Sequence, residues 1–468
     1  MSVRRLLIAI VTFACGIALP VAAAAQDKPN FVIILADDLG YGDVGFQGGQ
    51  AKTPHLDKLA AEGIRLTAHY VHPMCSPTRA ALLTGQYASR FGVTGAQNEQ
   101  AFPFGTPTIA SVLSGAGYDT ALIGKWHLGS GLDTPPNKFG FGYSYGLLAG
   151  GATPDTHEYK MGPHQRTWHR NGTLLDEEGH ITDLITKDAV KWIDERTDKP
   201  FFLYVPYTAV HVPINEPEQW LKMNEHITDP AKRLHAADVS HLDDGVGQIL
   251  AALEKKNLRQ NTVVLFLSDN GAHDDVDNKQ DKYPGIDTRP HLTIRGSNAP
   301  FRGWKGSVYE GGIRTPAIAH WPGHWENGVQ NAPVSVTGWF TTFCYLGGVE
   351  LPRTSQGDGE YLNPMLASHA KKSPLEPLPV YSASPGYRAR MVRVGKWKLI
   401  ITKGTTSKDK DNNKAKADVR ELYNLDTDPG ESRNVIAEHP EEAANLEKVL
   451  AEFAAGDKVV ERGGKAVD

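Results

Sequence analysis

Four apolar runs in this 468-residue sequence each end in side chains able to do chemistry. NFVIILADD closes on Asp37 and Asp38, TALIGKWH on Lys125 and His127, FFLYVPYTAVH leads to His211, and NTVVLFLSDNG closes on Asp269 and Asn270. The three aspartates and the asparagine offer only oxygen ligands, the preference of a hard cation such as calcium or magnesium and not of zinc. One Asp-Asp pair at a strand end is usually a turn or cap; two such ends with matching grammar favour a metal. Lys125 and His127, two apart, face one side if the chain stays extended. GKWHLG also fits a loop with Trp126 packed, and His211, among apolar neighbours, fits an ordinary core histidine.

A fifth stretch, HPMCSPTRAALLTGQY at 72–87, reads as a helix start. Ser76 is the expected cap, Pro77 suits the first helical position and Gly85 can end the helix. Cys75 then lies at the positive end of a helix with Arg79 one turn in, a place for an anion or a nucleophile. A buried structural cysteine reads the same way on this stretch alone. FRGWKGSVYEGGIRTP at 301–316 sets glycines around Lys305, so its backbone can approach a ligand closely. GGATPDTHEYKMGPHQRTWHR at 150–170 gathers His157, Arg166, His169 and Arg170 with aromatic residues. A sugar-binding lid and a solvated surface loop both fit it.

These residues need a frame. From about 30 to 345, β-rich runs alternate with helical stretches such as TPHLDKLAAEG, TPTIASVLSGAGY and ADVSHLDDGVGQILAALEKKN. That pattern predicts an α/β fold, a large mostly parallel central sheet flanked by helices, and such sheets bind ligands at the carboxyl ends of their strands. The Pro-rich segment 351–380 marks a boundary. Beyond it, MVRVGKWKLIIT reads as a hairpin turning at Gly395, RELYNL as a further strand and PEEAANLEKVLAEFAA as an amphipathic helix, a small C-terminal α+β unit. The charged run 403–418 between them reads as a mobile loop. Residues 1–25 have the layout of a secretory signal peptide. The expected organisation is therefore a signal peptide over 1–25, a catalytic domain over 26–370 and a small sheet-plus-helix domain over 371–468.

Composition narrows the partners. The 40% hydrophobic content suits a soluble globular protein. Loss of Arg4 and Arg5 with the signal takes the formal charge from −5 to −7, so nucleic acid is not an expected partner and any anion site must be built locally. After signal cleavage no remaining segment is expected to span a membrane, and the protein is expected in the periplasm or secreted. Cys75 and Cys344 then remain, too few for a disulfide scaffold, with a single Cys75–Cys344 bridge as the simplest pairing.

In order along the chain, these motifs resemble a type I sulfatase of the alkaline phosphatase superfamily. CSPTRAALLTG at 75–85 matches the Cys-x-Pro-x-Arg signature with its Leu-Thr-Gly; ILADDLGYGDVG, GYDTALIGKWHLG, LSDNGA, WKGSVYEGGIRTP, GKWKLI and ELYNLDTDPGE match the remaining motifs. Gln86 departs from the basic residue many members carry there. The resemblance implies that a formylglycine-generating enzyme oxidises Cys75 to 3-oxoalanine (formylglycine), whose hydrate attacks the sulfur of a sulfate ester. It implies one calcium ion held by Asp37, Asp38, Asp269, Asn270 and the modified Cys75, with Arg79 orienting the nucleophile. Lys125, His211 and Lys305 are implied to clamp the sulfate, His211 to protonate the leaving alcohol and His127 to act as the base for sulfate release.

The expected substrate is a sulfated poly- or oligosaccharide, cleaved in exo fashion, with His157, Arg166, His169 and Arg170 as candidate substrate contacts similar to those of the arylsulfatase B type. Two alternatives stay open: a formylglycine-dependent phosphodiester or phosphonate monoester hydrolase, and a non-catalytic binder of sulfated glycans that keeps Cys75 unmodified.

Overall fold

The computed structural model describes residues 28–158, 163–278, 292–351, 357–367, 378–404 and 417–459. The expected signal peptide, and most of the run expected to be a mobile loop, lie outside the described residues. The strand Asn30–Ala36 shows how the frame is built. All seven of its residues are buried. Phe31, Ile33 and Leu35 enter one apolar layer, and Val32, Ile34 and Ala36 the other, because successive strand side chains point to opposite faces. A strand covered on both faces reads as an unbroken apolar run.

Ten strands form the large sheet, in the order Gly328–Gln330, Ile64–Leu66, Ala317–His320, Thr262–Ser268, Asn30–Ala36, Phe201–Pro206, Asp119–Lys125, Tyr143–Leu147, Trp168–Arg170 and Thr173–Leu174. The run from Thr262–Ser268 to Tyr143–Leu147 is parallel throughout, and antiparallel strands flank it on both sides. Helices Cys75–Thr84, Ile109–Gly115 and Gly338–Leu346 cover one face; Pro54–Glu62, Ile181–Asp194 and Pro230–Lys255 cover the other. Gly124 is required where it stands: its φ is +136°, and a Cβ there would lie 2.0 Å from the carbonyl oxygen of Pro206. That close approach seats the strand ending in Lys125 against its neighbour.

The C-terminal unit is a four-stranded antiparallel sheet, Val380–Ala383, Ala389–Val394, Trp397–Thr402 and Val419–Asn424. The hairpin turns through Gly395 at φ +56°. Helix Pro440–Ala455 lays Ala443, Leu446 and Leu450 on Val392, Leu399 and Leu422. The other face of this sheet packs Met391, Ile400 and Tyr423 against Tyr70, Val308 and Ile313 of the large unit. Truncating a buried leucine such as Leu422 to alanine costs about 2–5 kcal/mol. Of the Pro-rich segment read as a boundary, the described stretch 357–367 is packed down: Leu362, Met365 and Leu366 join the core of the large unit.

Candidate active site

Adjacent parallel strands carry the two acidic ends, so register brings them together. Ala36 lies opposite Ser268. One residue on, the amide of Asp269 donates to the carbonyl of Ala36 at 3.1 Å, and the amide of Asp38 donates to Asp269 Oδ1 at 3.2 Å. Asp38 takes a left-handed φ of +64°, which turns the chain off the strand and leaves both aspartates beside the sheet end. Asn270 Nδ2 donates to Asp38 Oδ1 at 2.7 Å.

The helix carrying Cys75 starts two residues earlier than its sequence suggests. It spans Cys75–Thr84 with Met74 at the cap, and no side chain caps it. Ser76 is drawn away: its Oγ donates to the His127 carbonyl at 2.8 Å and accepts from the Gln97 amide at 2.9 Å. Gly85 ends the helix at φ +69°, as read. The simple Cys75–Cys344 bridge does not form; both are free and buried. Cys75 Sγ instead donates to Asp37 Oδ1 at 3.3 Å and lies 3.9 Å from Asp38 Oδ1. Arg79, one turn on, donates to Asp269 Oδ2 through Nε at 3.1 Å and a terminal nitrogen at 2.7 Å, and to the Lys125 carbonyl at 2.9 Å.

Lys125 pairs with Asp37 on the buried floor. The extended path that was to set Lys125 and His127 side by side is not taken: His127 is left-handed at φ +54°, and Trp126 is packed in the core. The His127 ring lies against Gly150, where a Cβ would meet it at 2.3 Å. Lys305 Nζ reaches Asp38 at 2.7 Å. Its loop is tied down on both sides, Lys305 N to the Ala272 carbonyl at 3.0 Å and Gly306 N to the Pro73 carbonyl at 2.7 Å. His211 is no core histidine; its Nε2 lies 3.7 Å from Asp38 Oδ2.

Burial sets the electrostatics. It pushes the Asp37 carboxyl up, but Lys125 and His211 together pull further and hold it below its usual range; Lys305 and His273 do the same to Asp38. Asp269 is pushed up to about 6 by burial and by Asp37. Burial, then Asp269 and Asp37, push the Cys75 thiol well up, so this cysteine is held as the poorly nucleophilic thiol. Burial and Lys305 hold His211 down at about 4, and burial with Lys125 and Arg79 keeps His127 neutral.

The residues fit a hard divalent cation. Ligand atoms of Asp37, Asp38, Cys75 and Asp269 all lie within 4.8 Å of one another. Beside them, buried Asn270 Oδ1 has no hydrogen-bond partner. An orphaned buried carbonyl next to three carboxylates is the donor set an oxygen-seeking cation uses.

The Sulfatase family model matches residues 29–349. The chain belongs to the sulfatase family. It is 34% identical over 370 residues to N-acetylgalactosamine-6-sulfatase of Mus musculus, covering 74% of this chain and 67% of that protein. It is 31% identical over 466 residues to arylsulfatase A of Homo sapiens, covering 90% and 86%. The crystal structure of Ps i-CgsB in complex with k-i-k-neocarrahexaose superposes with a TM-score of 0.79 at 29% identity, covering 92% of this chain and 94% of that one. This sulfatase is accordingly a sulfuric ester hydrolase of the alkaline phosphatase superfamily, type I.

The expected substrate contacts scatter. His157 stacks on Trp168 at 4.7 Å and bonds the Gly179 carbonyl through Nε2. His169 is fully buried, its Nδ1 accepting from Gly172. Arg170 pairs with Asp188 at 3.2 Å in a cleft lined by Asp119, Gly142 and Arg196, at the amino ends of the parallel strands and so away from Cys75. Arg166 is exposed and pairs with Asp176. The structure brings none of the four into contact with the floor described above.

Conversely, sequence reading missed His273, whose Nε2 lies 2.9 Å from Asp38 Oδ2. Its signal was its place three residues after Asn270, in the same strand-end turn.

Proposed function

We propose that this sulfatase releases sulfate from a sulfated poly- or oligosaccharide, using formylglycine made from Cys75 and one calcium ion held by Asp37, Asp38, Asp269 and Asn270. One observation carries the reading: three aspartates from two adjacent strand ends meet Cys75 at a helix N-terminus, with Arg79, Lys125 and Lys305 around them. When bound, the modified residue and the cation supply an activated oxygen nucleophile and Lewis-acid stabilisation of the sulfate charge.

The chain's own residues do the rest. Arg79, locked on Asp269 and the Lys125 carbonyl, holds position 75 in place. Lys125 and Lys305, now facing carboxylates, are the cations that grip sulfate oxygens. His211, whose protonated form a bound anionic ester favours over the empty site, donates the proton to the leaving alcohol, and neutral His127 is the base for sulfate release. The names of the similar proteins support a glycan: one is an N-acetylgalactosamine-6-sulfatase and another is solved in complex with k-i-k-neocarrahexaose. The layout of residues 1–25 supports export. Among the described residues, no helix is long and apolar enough to cross a membrane.

The test is the mass of the tryptic peptide containing Cys75, from protein co-expressed with a formylglycine-generating enzyme, followed by sulfate release from a panel of sulfated saccharides. The thiol mass is expected to give way to the aldehyde. Unmodified cysteine, under conditions that convert a control sulfatase, would overturn the nucleophile. Faster cleavage of aryl phosphodiesters than of any sulfate ester would overturn the substrate class.

A further inference from the structure

Two hydrogen-bond donors converge on one carboxylate oxygen at the mouth of the site, with a second imidazole nitrogen just beyond them. Lys305 Nζ reaches Asp38 Oδ2 at 2.8 Å, His273 Nε2 at 2.9 Å, and His211 Nε2 stands off at 3.7 Å. A carboxylate oxygen facing an imidazole nitrogen at 2.9 Å is the acceptor of the pair, so His273 donates from Nε2. The two imidazoles lie edge to face, 5.9 Å between ring centres.

Depth orders these groups. The side chains of Asp37, Arg79 and Lys125 are 0% exposed, Lys305 6%, His211 18% and His273 32%. Cys75 lies at the deep end, so sulfur must sit over the floor and the ester's leaving oxygen must point outward. His211 and then His273 are the donors met along that line.

His273 is also held firmly. The Ala272 amide donates to Asn298 Oδ1 at 2.8 Å, and Asn298 Nδ2 donates to the Ala272 carbonyl at 3.2 Å and the Gly303 carbonyl at 3.1 Å. With the Lys305 amide on the same Ala272 carbonyl, the backbone before His273 and the loop of Lys305 are tied to one another. A donor fixed in this way pays little reorganisation when charge develops on a departing oxygen.

We propose that His273 is a further catalytic residue, donating its Nε2 hydrogen bond to the leaving-group oxygen beside His211. The proton stays on His273; as the nucleophile's oxygen bonds to sulfur, the S–O bond to the alcohol breaks, and the alcohol takes its proton from His211, whose protonated form an anionic ester in the site favours. This rests on the sulfatase reading above.

The experiment uses calcium-loaded, Cys75-converted enzyme and aryl sulfates whose phenols span a range of acidity, from 4-nitrophenyl sulfate to phenyl sulfate. His273→Ala is expected to lower kcat/KM by about 10- to 100-fold for phenyl sulfate, where charge on the leaving oxygen is hardest to bear, and less than about threefold for 4-nitrophenyl sulfate. His273→Gln, which keeps a donor, is expected to recover part of the loss, with calcium content unchanged in both variants. An equal loss across the series, or none, overturns the role of His273 while leaving the sulfatase reading intact. Converted wild-type enzyme that cleaves no aryl or saccharide sulfate overturns that reading, and the role with it.

Discussion

Two buried ionic clusters lie on either side of the segment 301–315, and they are built to different ends. At the junction with the C-terminal sheet, Lys398 Nζ sits 2.8 Å from both Glu310 and Glu431, Arg314 adds a contact to Glu310 at 3.1 Å, and the Tyr70 hydroxyl donates to Glu310 at 2.6 Å. Burial pushes Glu310 up, but Lys398, Arg314 and Arg393 pull it to about 2. At the active site, three aspartates face Arg79, Lys125 and Lys305, yet Asp269 stays pushed up to about 6, and Asn270 Oδ1 and His127 Nδ1 have no partner. At the junction Glu310 is fully served by Lys398, Arg314 and Tyr70, while burial leaves Glu431 pushed up with the Lys398 ion pair on its Oε1. The active site crowds more acceptors around one point than its own donors serve, the signature of a site for something else.

The comparison makes predictions of unequal size. Cys75→Ala should break function and spare the fold: sulfate release is expected to fall by about 10⁴-fold or more, with a melting temperature near wild type, checked by turnover and calorimetry. Lys398→Met should do the reverse. Leaving Glu310 and Glu431 buried without their shared cation is expected to cost about 3–5 kcal/mol in urea unfolding, while kcat/KM of the folded enzyme stays within about tenfold. If Lys398→Met proves neutral in stability, the two clusters do not differ as argued.

Chelation sharpens the contrast from the other side. Removing divalent cations is expected to lower turnover by about 10²- to 10³-fold and to lower the melting temperature, both restored by added calcium, because a ligand that binds only the folded state stabilises it by mass action. The junction gives no such response, so Lys398→Met should lose no metal. The smallest effect is in acid. Glu310 has its folded pKa depressed from 4.5 to about 2, so its contribution is fully present above pH 4.5 and is lost as pH falls toward 2. The stability gap between wild type and Glu310→Gln, followed by denaturant titration, should therefore be constant near neutrality and close between pH 4.5 and 2.

Legibility differed by region for physical reasons. Strand ends carrying Asp37, Asp38, Asp269 and Asn270 were readable because period and polarity change abruptly where a buried strand stops, and the Cys-x-Pro-x-Arg spacing is local to one helix. Ser76 was misread as a cap because its hydroxyl had a better offer from the His127 carbonyl, 51 residues away. Of the two paths open for GKWHLG, the loop with Trp126 packed is the one taken, and the left-handed His127 lays its ring against Gly150. The composition of the 150–170 stretch fitted a lid and a surface loop alike; partners distant in sequence decided where its side chains sit, Arg170 pairing with Asp188 at the amino ends of the strands.

The sequence by itself determined the alternation of buried strands and helices, the residue types at each strand end and the presence of a helix just after the cysteine that Gly85 ends, since all follow from short-range periodicity and chain stereochemistry. Only the tertiary structure decided that the strand ending at Ala36 lies beside the one ending at Ser268, that Lys305 and His273 reach the same Asp38 oxygen, and that Lys398 anchors the segment behind Lys305. Those are contacts between residues from 88 to 267 positions apart, and they exist because strand order and burial, which no local pattern encodes, select one arrangement in which the buried charges find each other.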